Sequence, residues 1–380
     1  MGAESQAMHS VALNAAAMSL AQVGASSEAI LLLNGERGSC SAVSNQILKA
    51  CGFRGDLCEA TSLQLGPRSA YSKELRLLAH ILSTATAGDA DSVCDAIEAF
   101  GSETLPTDRR WLKIAGGPKA KLLSDAVQQA PCTGIILEIG TYCGYSAARL
   151  ARAHLEKLQH LTPQDSHHGQ RGHRIVSIEV DAAHAAIARN VLAFAGLAHV
   201  VEVRTGHSED VLPTLIPELQ EALGREQVVD VLFLDQRGSR YEADLKVLEG
   251  FGALGTGSVL VADNCLKPGA PRFLWRVVNG GKYDTEIVSL HEFAMGEVED
   301  WVSVSRRLED GDSKRSLEDP PLAVRALEFK AEQMRTRTHR PDHGGEGVDF
   351  TEWAAFSASM RKALMEVGFE ARPAHLCIGS

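Results

Sequence analysis

The 380-residue chain has eight cysteines and no C-x-x-C pair: Cys40, Cys51, Cys58, Cys94, Cys132, Cys143, Cys265 and Cys377 are scattered. That scatter leaves no zinc-ribbon or thioredoxin-like motif, and unpaired thiols in so long a chain suit a reducing compartment. No stretch reaches the ~18 consecutive apolar residues that a membrane-spanning helix needs. The opening MGAESQAMHS carries Glu4 where a leader would be basic, and Gln6 where myristoylation requires Ser or Thr. A soluble, cytoplasmic protein with no membrane contact is expected. Positive charge is also short. Lys and Arg number 38 against 49 Asp and Glu, a net charge of −11, which argues against a nucleic-acid-binding surface. The 44% hydrophobic content supports a substantial core.

What is present is organised around one stretch, Ile135–Ser146, IILEIGTYCGYS. A buried strand ends in a carboxylate, Glu138, followed by a Gly-x-x-x-Gly turn from Gly140 to Gly144. Such turns sit at the carboxyl edge of parallel sheets, where ligands bind. Glycine lets the backbone approach the ligand and turn sharply. The spacing of this turn is not the dinucleotide fingerprint, and no P-loop lysine follows it. Further runs alternate strand with helix: strands at 135–139, 175–180, 199–205, 228–234 and 258–262, and two more near 285–290 and 300–305. Continuous apolar runs such as VVDVLFL mark parallel strands buried on both faces, and the alternation implies an open α/β sheet.

Before this core, helical spacing starts at Ser72 with Leu75, Leu78, Ile81 and Leu82. Two further helices follow, at Ala90–Phe100 and from Pro118. Residues 1–66 read as a helical extension with a weak 31-residue repeat, in which Asn14, Gly24, Glu28, Ala29 and Leu32 recur as Asn45, Gly55, Glu59, Ala60 and Leu63. Two units are fewer than the three a solenoid usually needs, so RNA binding is not inferred from them. A polar stretch between Leu155 and Arg174 holds His160, His167, His168 and His173 and reads as a solvated insertion. Residues 307–380 read as a charged linker and helical tail. Helices are expected at 322–336 and 351–366, and Lys330, Arg335, Arg337 and Arg340 are expected on a solvated face.

Chemistry-bearing side chains recur at strand ends: Glu138, Glu179, Asp235, and Asp263 with Asn264. In a doubly wound sheet these ends converge on one crevice. Glu179 follows the second strand, where an acid accepts both hydroxyls of a ribose. Asp235, Asp263 and Asn264 are hard oxygen ligands able to hold one Mg²⁺ octahedrally.

From about 72 to 306 the ordered motifs ELRLLAHIL, Trp111 with GGPKAK, LEIGTYCGYSAARLAR, IVSIEVD, NVLAFAG, FLDQRGSRY, LVADNCLKPGAP and HEF resemble catechol O-methyltransferase. The resemblance implies an α/β, Rossmann-like methyltransferase fold over 72–306, with a seven-stranded, mostly parallel sheet flanked by helices. It implies S-adenosylmethionine as cofactor. Glu138, Gly140, Tyr142 and Ser146 would surround its methionine end, Glu179 its ribose and Ser208 its adenine. It implies Mg²⁺ on Asp235, Asp263 and Asn264, a catechol-like small molecule as acceptor, Glu292 on the second catechol hydroxyl, and Trp111 and Pro268 as apolar walls. One motif departs. The family's His-Trp-Lys after the first metal aspartate reads Gln236-Arg237-Gly238, so the general-base lysine and one aromatic gate are missing. His291, just before Glu292, is a candidate replacement base. Arg237, with Lys113 opposite, would make the mouth cationic and favour acidic catechols. The alternative reading is a catalytically impaired cofactor-binding scaffold.

Overall fold

The computed structural model describes residues 71–105, 111–160, 174–309, 319–338 and 348–374. The repeat expected within 1–66, the histidines at 167, 168 and 173, and Arg340 lie outside the described residues.

Five short apolar runs form the parallel half of one sheet: β1 Ile135–Ile139, β2 Ile175–Glu179, β3 Val201–Thr205, β4 Val229–Leu234 and β5 Leu254–Ala262. Two nine-residue strands, β6 Tyr283–His291 and β7 Glu299–Arg307, complete the other half as an antiparallel pair. The order is β3-β2-β1-β4-β5-β7-β6-β8. The sheet thus has eight strands among the described residues, not the expected seven. The extra strand, β8 Arg372–Pro373, pairs with β6 through only two residues. Two residues carry no alternation, and a proline is confined to sheet edges, so nothing in the sequence announces it. Strand β5 also begins four residues earlier than expected, at Leu254, where it pairs with Val229.

Helices cover both faces. On one side pack α1 Ser72–Thr84, α2 Ala90–Ala99, α3 Pro118–Gln129, α4 Tyr145–His160 and α5 Ala182–Phe194. On the other pack α6 Ser208–Leu223, α7 Tyr241–Gly250, α8 Pro271–Asn279, α9 Leu322–Thr338 and α10 Phe350–Glu366. Local chemistry sets the helix starts. Asp89, Asp181 and Asp349 accept backbone N–H groups as N-caps, and Pro118 and Pro271 occupy first-turn positions where a missing N–H costs nothing. Among the described residues no helix is long and apolar enough to cross a membrane.

The strand order reverses between β1 and β4, which opens a crevice at their carboxyl ends. Every candidate residue named from the strand ends lies at or next to this edge.

Candidate active site

At the crevice, β1 runs into Gly140, whose φ is +93°. A Cβ there would lie 2.6 Å from the Asp235 carbonyl oxygen at the end of β4, so only glycine lets the two strand ends meet. Tyr142, in the same turn, also has a positive φ, +50°, a strained state that persists only where its surroundings enforce it. One enforcing contact is Glu179. Its two carboxylate oxygens each accept a backbone N–H at 2.9 Å, from Tyr142 and from Asp181. Each oxygen keeps a lone pair for a further donor. The Tyr142 hydroxyl donates to Glu74 at 2.5 Å.

Glu138 is fully buried and accepts the Ser177 hydroxyl at 2.5 Å, while its Oε1 has no partner among the described residues. Burial raises its carboxyl to about 7, against the nearby hydroxyls of Ser146, Ser177 and Thr141. An orphaned buried carboxylate oxygen is costly and suits a ligand bearing an ammonium group. Ser146 is buried in the first turn of α4. Ser208 heads α6 and donates to Asp244 at 2.7 Å; Asp244 also accepts the Gln236 amide at 2.6 Å. Glu138, Gly140, Tyr142, Ser146 and Glu179 therefore gather along β1 and β2, and Ser208 is tied to the end of β4 through Asp244.

Beside them lies a buried charge cluster. Lys119, 2% exposed on α3, is 2.7 Å from Asp263 Oδ1 and 2.9 Å from both Glu292 Oε2 and Asp300 Oδ2. Lys267 lies 2.8 Å from Glu292 Oε1. Burial works against Glu292 ionising, yet the two ammonium groups outweigh it and hold the carboxyl at about 2. Asp263 moves the other way. Burial, with Asp300 and Glu292 nearby, raises it to about 7 despite Lys119. Asp235 is pushed well above the carboxylate range by burial and by Asp263. Asn264, at φ +53°, donates its side-chain amide to Asp300 at 3.0 Å and Glu292 at 3.3 Å.

Four carboxyl groups here face two ammonium groups, and the surplus acid is reflected in the raised carboxyls of Asp235 and Asp263. No set of three or more His, Cys, Asp or Glu side chains stands in metal-holding geometry among the described residues. The oxygen donors on offer are two carboxylates, Asp235 and Asp263, and the Asn264 amide. Hard oxygens whose ionisation burial and mutual repulsion oppose fit a divalent cation of the Mg²⁺ type, which would favour their charged forms.

Other expected residues fall differently. Arg237 is exposed, and its guanidinium pairs with Glu332 of α9. His291 ends β6 with an exposed side chain. Trp111 and Pro268 are partly buried near Lys267. Arg335 overturns the expected solvated face. It is 3% exposed, pairs with Glu328 and Glu332 at 3.1 and 3.0 Å, and donates to the Gly269 carbonyl. Its guanidinium also fills the space beside Gly238, 2.8 Å from where a Cβ would stand. Helical periodicity alone could not place Arg335, because α9 is only weakly amphipathic and carries charge on most faces. Restoring lysine by Gly238→Lys is therefore expected to destabilise the chain by about 1–3 kcal/mol through overpacking against Arg335 and Gly269. Thermal melting measures this; an unchanged Tm would show that Arg335 yields freely.

Sequence reasoning also missed Lys119, Lys267, Asp300 and Trp353. The two lysines lie within GGPKAK and CLKPGAP, but a lysine in a turn gives no sign that it will be buried among acids. Trp353, on α10, packs edge-on against Trp111 at 6.3 Å.

Comparison with known proteins gives a consistent result. A family described as a methyltransferase domain matches residues 137–265. Catechol O-methyltransferase of Bos taurus is 36% identical over 213 residues, 56% of this chain and 69% of that protein. Catechol O-methyltransferase B of Danio rerio is 37% identical over 55% of this chain and 69% of that protein. The transmembrane O-methyltransferase of Homo sapiens is 34% identical over 55% of this chain and 64% of that protein. An O-methyltransferase structure from Bacillus cereus aligns at TM-score 0.42 and 23% identity, covering 57% of this chain and 90% of that one.

Proposed function

The chain belongs to the catechol O-methyltransferase family, and from that membership we propose that it moves a methyl group from S-adenosylmethionine to one hydroxyl of a Mg²⁺-chelated, catechol-like small molecule. It is an O-methyltransferase with the Rossmann-like methyltransferase fold. The finer reading rests above all on one observation: Asp235, Asp263 and Asn264 stand at neighbouring strand ends beside Glu292, in a cluster where four carboxyl groups share two ammonium groups. The scaffold alternative, raised by Gly238, is not favoured by the relatives, which are named as methyltransferases.

The cofactor side fits its ligand by chemistry. Glu138 offers a buried, unpartnered oxygen to the methionine ammonium, and Glu179 keeps lone pairs for two ribose hydroxyls. Gly140 and Tyr142 shape the turn between them, Ser146 would close the methionine end, and Ser208 would stand toward the adenine. Glu179→Ala is expected to weaken S-adenosylmethionine binding more than tenfold, since a hydrogen bond to a charged group is worth about 1.5–3 kcal/mol. Calorimetry reads this directly; wild-type affinity in the variant would remove Glu179 from the cofactor site.

On the acceptor side, Asp235, Asp263 and Asn264 would hold Mg²⁺, which when bound supplies Lewis acidity to the ligated hydroxyls. Glu292, held at about 2 by its two lysines, is ionised at any physiological pH. It therefore acts only as an acceptor and fixes the second hydroxyl. Trp111 and Pro268 flank the ring. S-adenosylmethionine, when bound, would supply the methyl group, and the residues around it would contribute mainly alignment of the acceptor hydroxyl and exclusion of water. With Gly238 in the lysine position, the acceptor proton leaves to solvent or to His291 at the strand end. A methyl-transfer assay across a catechol panel, with and without Mg²⁺, tests the reading. Turnover of no catechol, or turnover indifferent to chelator, would contradict it.

A further inference from the structure

Between the cofactor side and the acceptor side stands a lysine that the reading above leaves unused. Lys113 lies in the irregular segment 111–117, which leads into α3. The segment is tied at both ends. Lys73 of α1 donates to the Trp111 carbonyl at 3.0 Å, and Lys119, in the first turn of α3, is 2.7 Å from Asp263. Between these ties burial alternates. Leu112 and Ile114 are buried in the core, whereas Trp111 is partly buried and Lys113 exposed. As in a strand, such alternation puts Lys113 on the side of Trp111. Trp111 is the wall proposed for the acceptor ring, and its own ring lies 5.5 Å from Lys267 Nζ.

The charges around Lys113 come from both sides of the crevice: Lys73 and Glu74 on α1, Glu179 at the end of β2, and Lys267 in the turn after β5. Glu179 belongs to the cofactor side, and Lys267 is 2.8 Å from Glu292 on the acceptor side. The Lys113 ammonium therefore stands between the two. It makes no hydrogen bond or ion pair among the described residues, whereas Lys73, Lys119 and Lys267 all have acidic partners. Lys113 keeps accessible surface, yet desolvation is the strongest influence on its charge. A side chain both accessible and desolvated lines a narrow crevice rather than the outer surface. Desolvation lowers its pKa from the ordinary lysine value, Lys73 and Lys267 add to the lowering, and Glu74 and Glu179 oppose it. A lysine of lowered pKa is suited to general-base work.

We propose that Lys113 is the general base of methyl transfer, supplied by the 111–117 segment in place of the lysine missing at Gly238. This rests on the methyl-transfer reading above and assigns the proton that it left to solvent or to His291. The neutral amine takes the proton of the acceptor hydroxyl as the diol binds. The O–H bond breaks, the proton forms the third N–H of the ammonium, and the electron pair stays on the oxygen that is methylated. The ammonium gives its proton to water once the product leaves.

The test uses the full chain with Mg²⁺. Single-turnover methyl transfer from S-adenosylmethionine to 4-methylcatechol is followed across neutral and mildly alkaline pH in wild type and Lys113→Met. The wild-type rate is expected to rise with pH to a plateau as the amine loses its proton. In Lys113→Met it should be lower by at least about 10²-fold at neutral pH, the low side of general-base effects, with S-adenosylmethionine affinity kept within about threefold. A binding measurement follows the proton itself. With S-adenosylhomocysteine in place of the methyl donor, calorimetry of 4-methylcatechol in two buffers of different ionisation heat counts the protons released at the plateau pH. Wild type should release about none, because Lys113 keeps the proton, and Lys113→Arg about one, because a guanidinium is already protonated. Equal release by both proteins, or an undiminished rate in Lys113→Met, would overturn Lys113 as the base and leave the methyl-transfer reading standing. Neither binding nor turnover of the catechol by wild type would overturn both.

Discussion

Asp235→Ala is expected to lower methyl transfer to a catechol by at least about 10³-fold, because a metal's charge stabilisation is worth several kcal/mol and each 1.36 kcal/mol is tenfold in rate. Asp235 is the informative ligand to remove. Asp263 is paired with Lys119 at 2.7 Å, so its loss would also strand a buried ammonium and blur the result. Asp235 is instead pushed well above the carboxylate range, by burial first and then by Asp263. Its ionisation is opposed by burial and by that neighbour, an opposition that a cation or its own removal would relieve. The variant should therefore fold at least as well as wild type without Mg²⁺, bind S-adenosylmethionine within about twofold, and lack the thermal stabilisation by Mg²⁺ that is expected of wild type. The combination separates a metal ligand from a structural acid. A variant that lost activity and stability together, with unchanged response to Mg²⁺, would assign Asp235 to the fold.

The parts of this site that could be read from sequence are those set by strand periodicity. Glu138, Glu179, Asp235, Asp263 and Asn264 follow apolar runs whose length and burial define parallel strands, and parallel strands put their carboxyl ends on one edge. Gly140 was legible for the same reason, since a strand that ends beside another leaves no room for a Cβ. The parts that could not be read depend on long-range packing. Lys119 and Lys267 look like ordinary turn lysines until α3 and the Cys265–Gly269 turn bring them to Glu292. Arg335 looks like one of several solvated cations until α9 lays it beside Gly238. The missing general-base lysine was visible as Gly238. That a helix about 100 residues later would fill its space was not, because no local rule links a glycine to a distant arginine.

The largest stability effect should come from Lys119→Met. The side chain keeps its apolar stem but leaves Asp263, Glu292 and Asp300 without their shared cation. Breaking a buried ion pair from one side costs about 3–5 kcal/mol, because a charge stays buried without compensation. In a chain of this size that corresponds to a Tm loss on the order of 10 °C. The loss should depend on pH, and the sign follows from the carboxylates. Asp263 titrates near 7 in the folded state, above its ordinary 3.8. Between those values the folded chain binds more protons than the unfolded one, so this group's contribution to stability falls as pH rises. Removing Lys119 takes away the cation that opposes the shift, so the interval widens upward and the fall steepens. At pH 5 the stranded carboxylates can take up protons; at pH 8 they must stay charged or strain the fold. The Tm deficit of Lys119→Met is accordingly expected to be larger at pH 8 than at pH 5, and Mg²⁺ should recover part of it at pH 8. Melting curves at both pH values, with and without Mg²⁺, measure this. An equal deficit at both would mean that Lys119 stabilises the fold through packing rather than through charge.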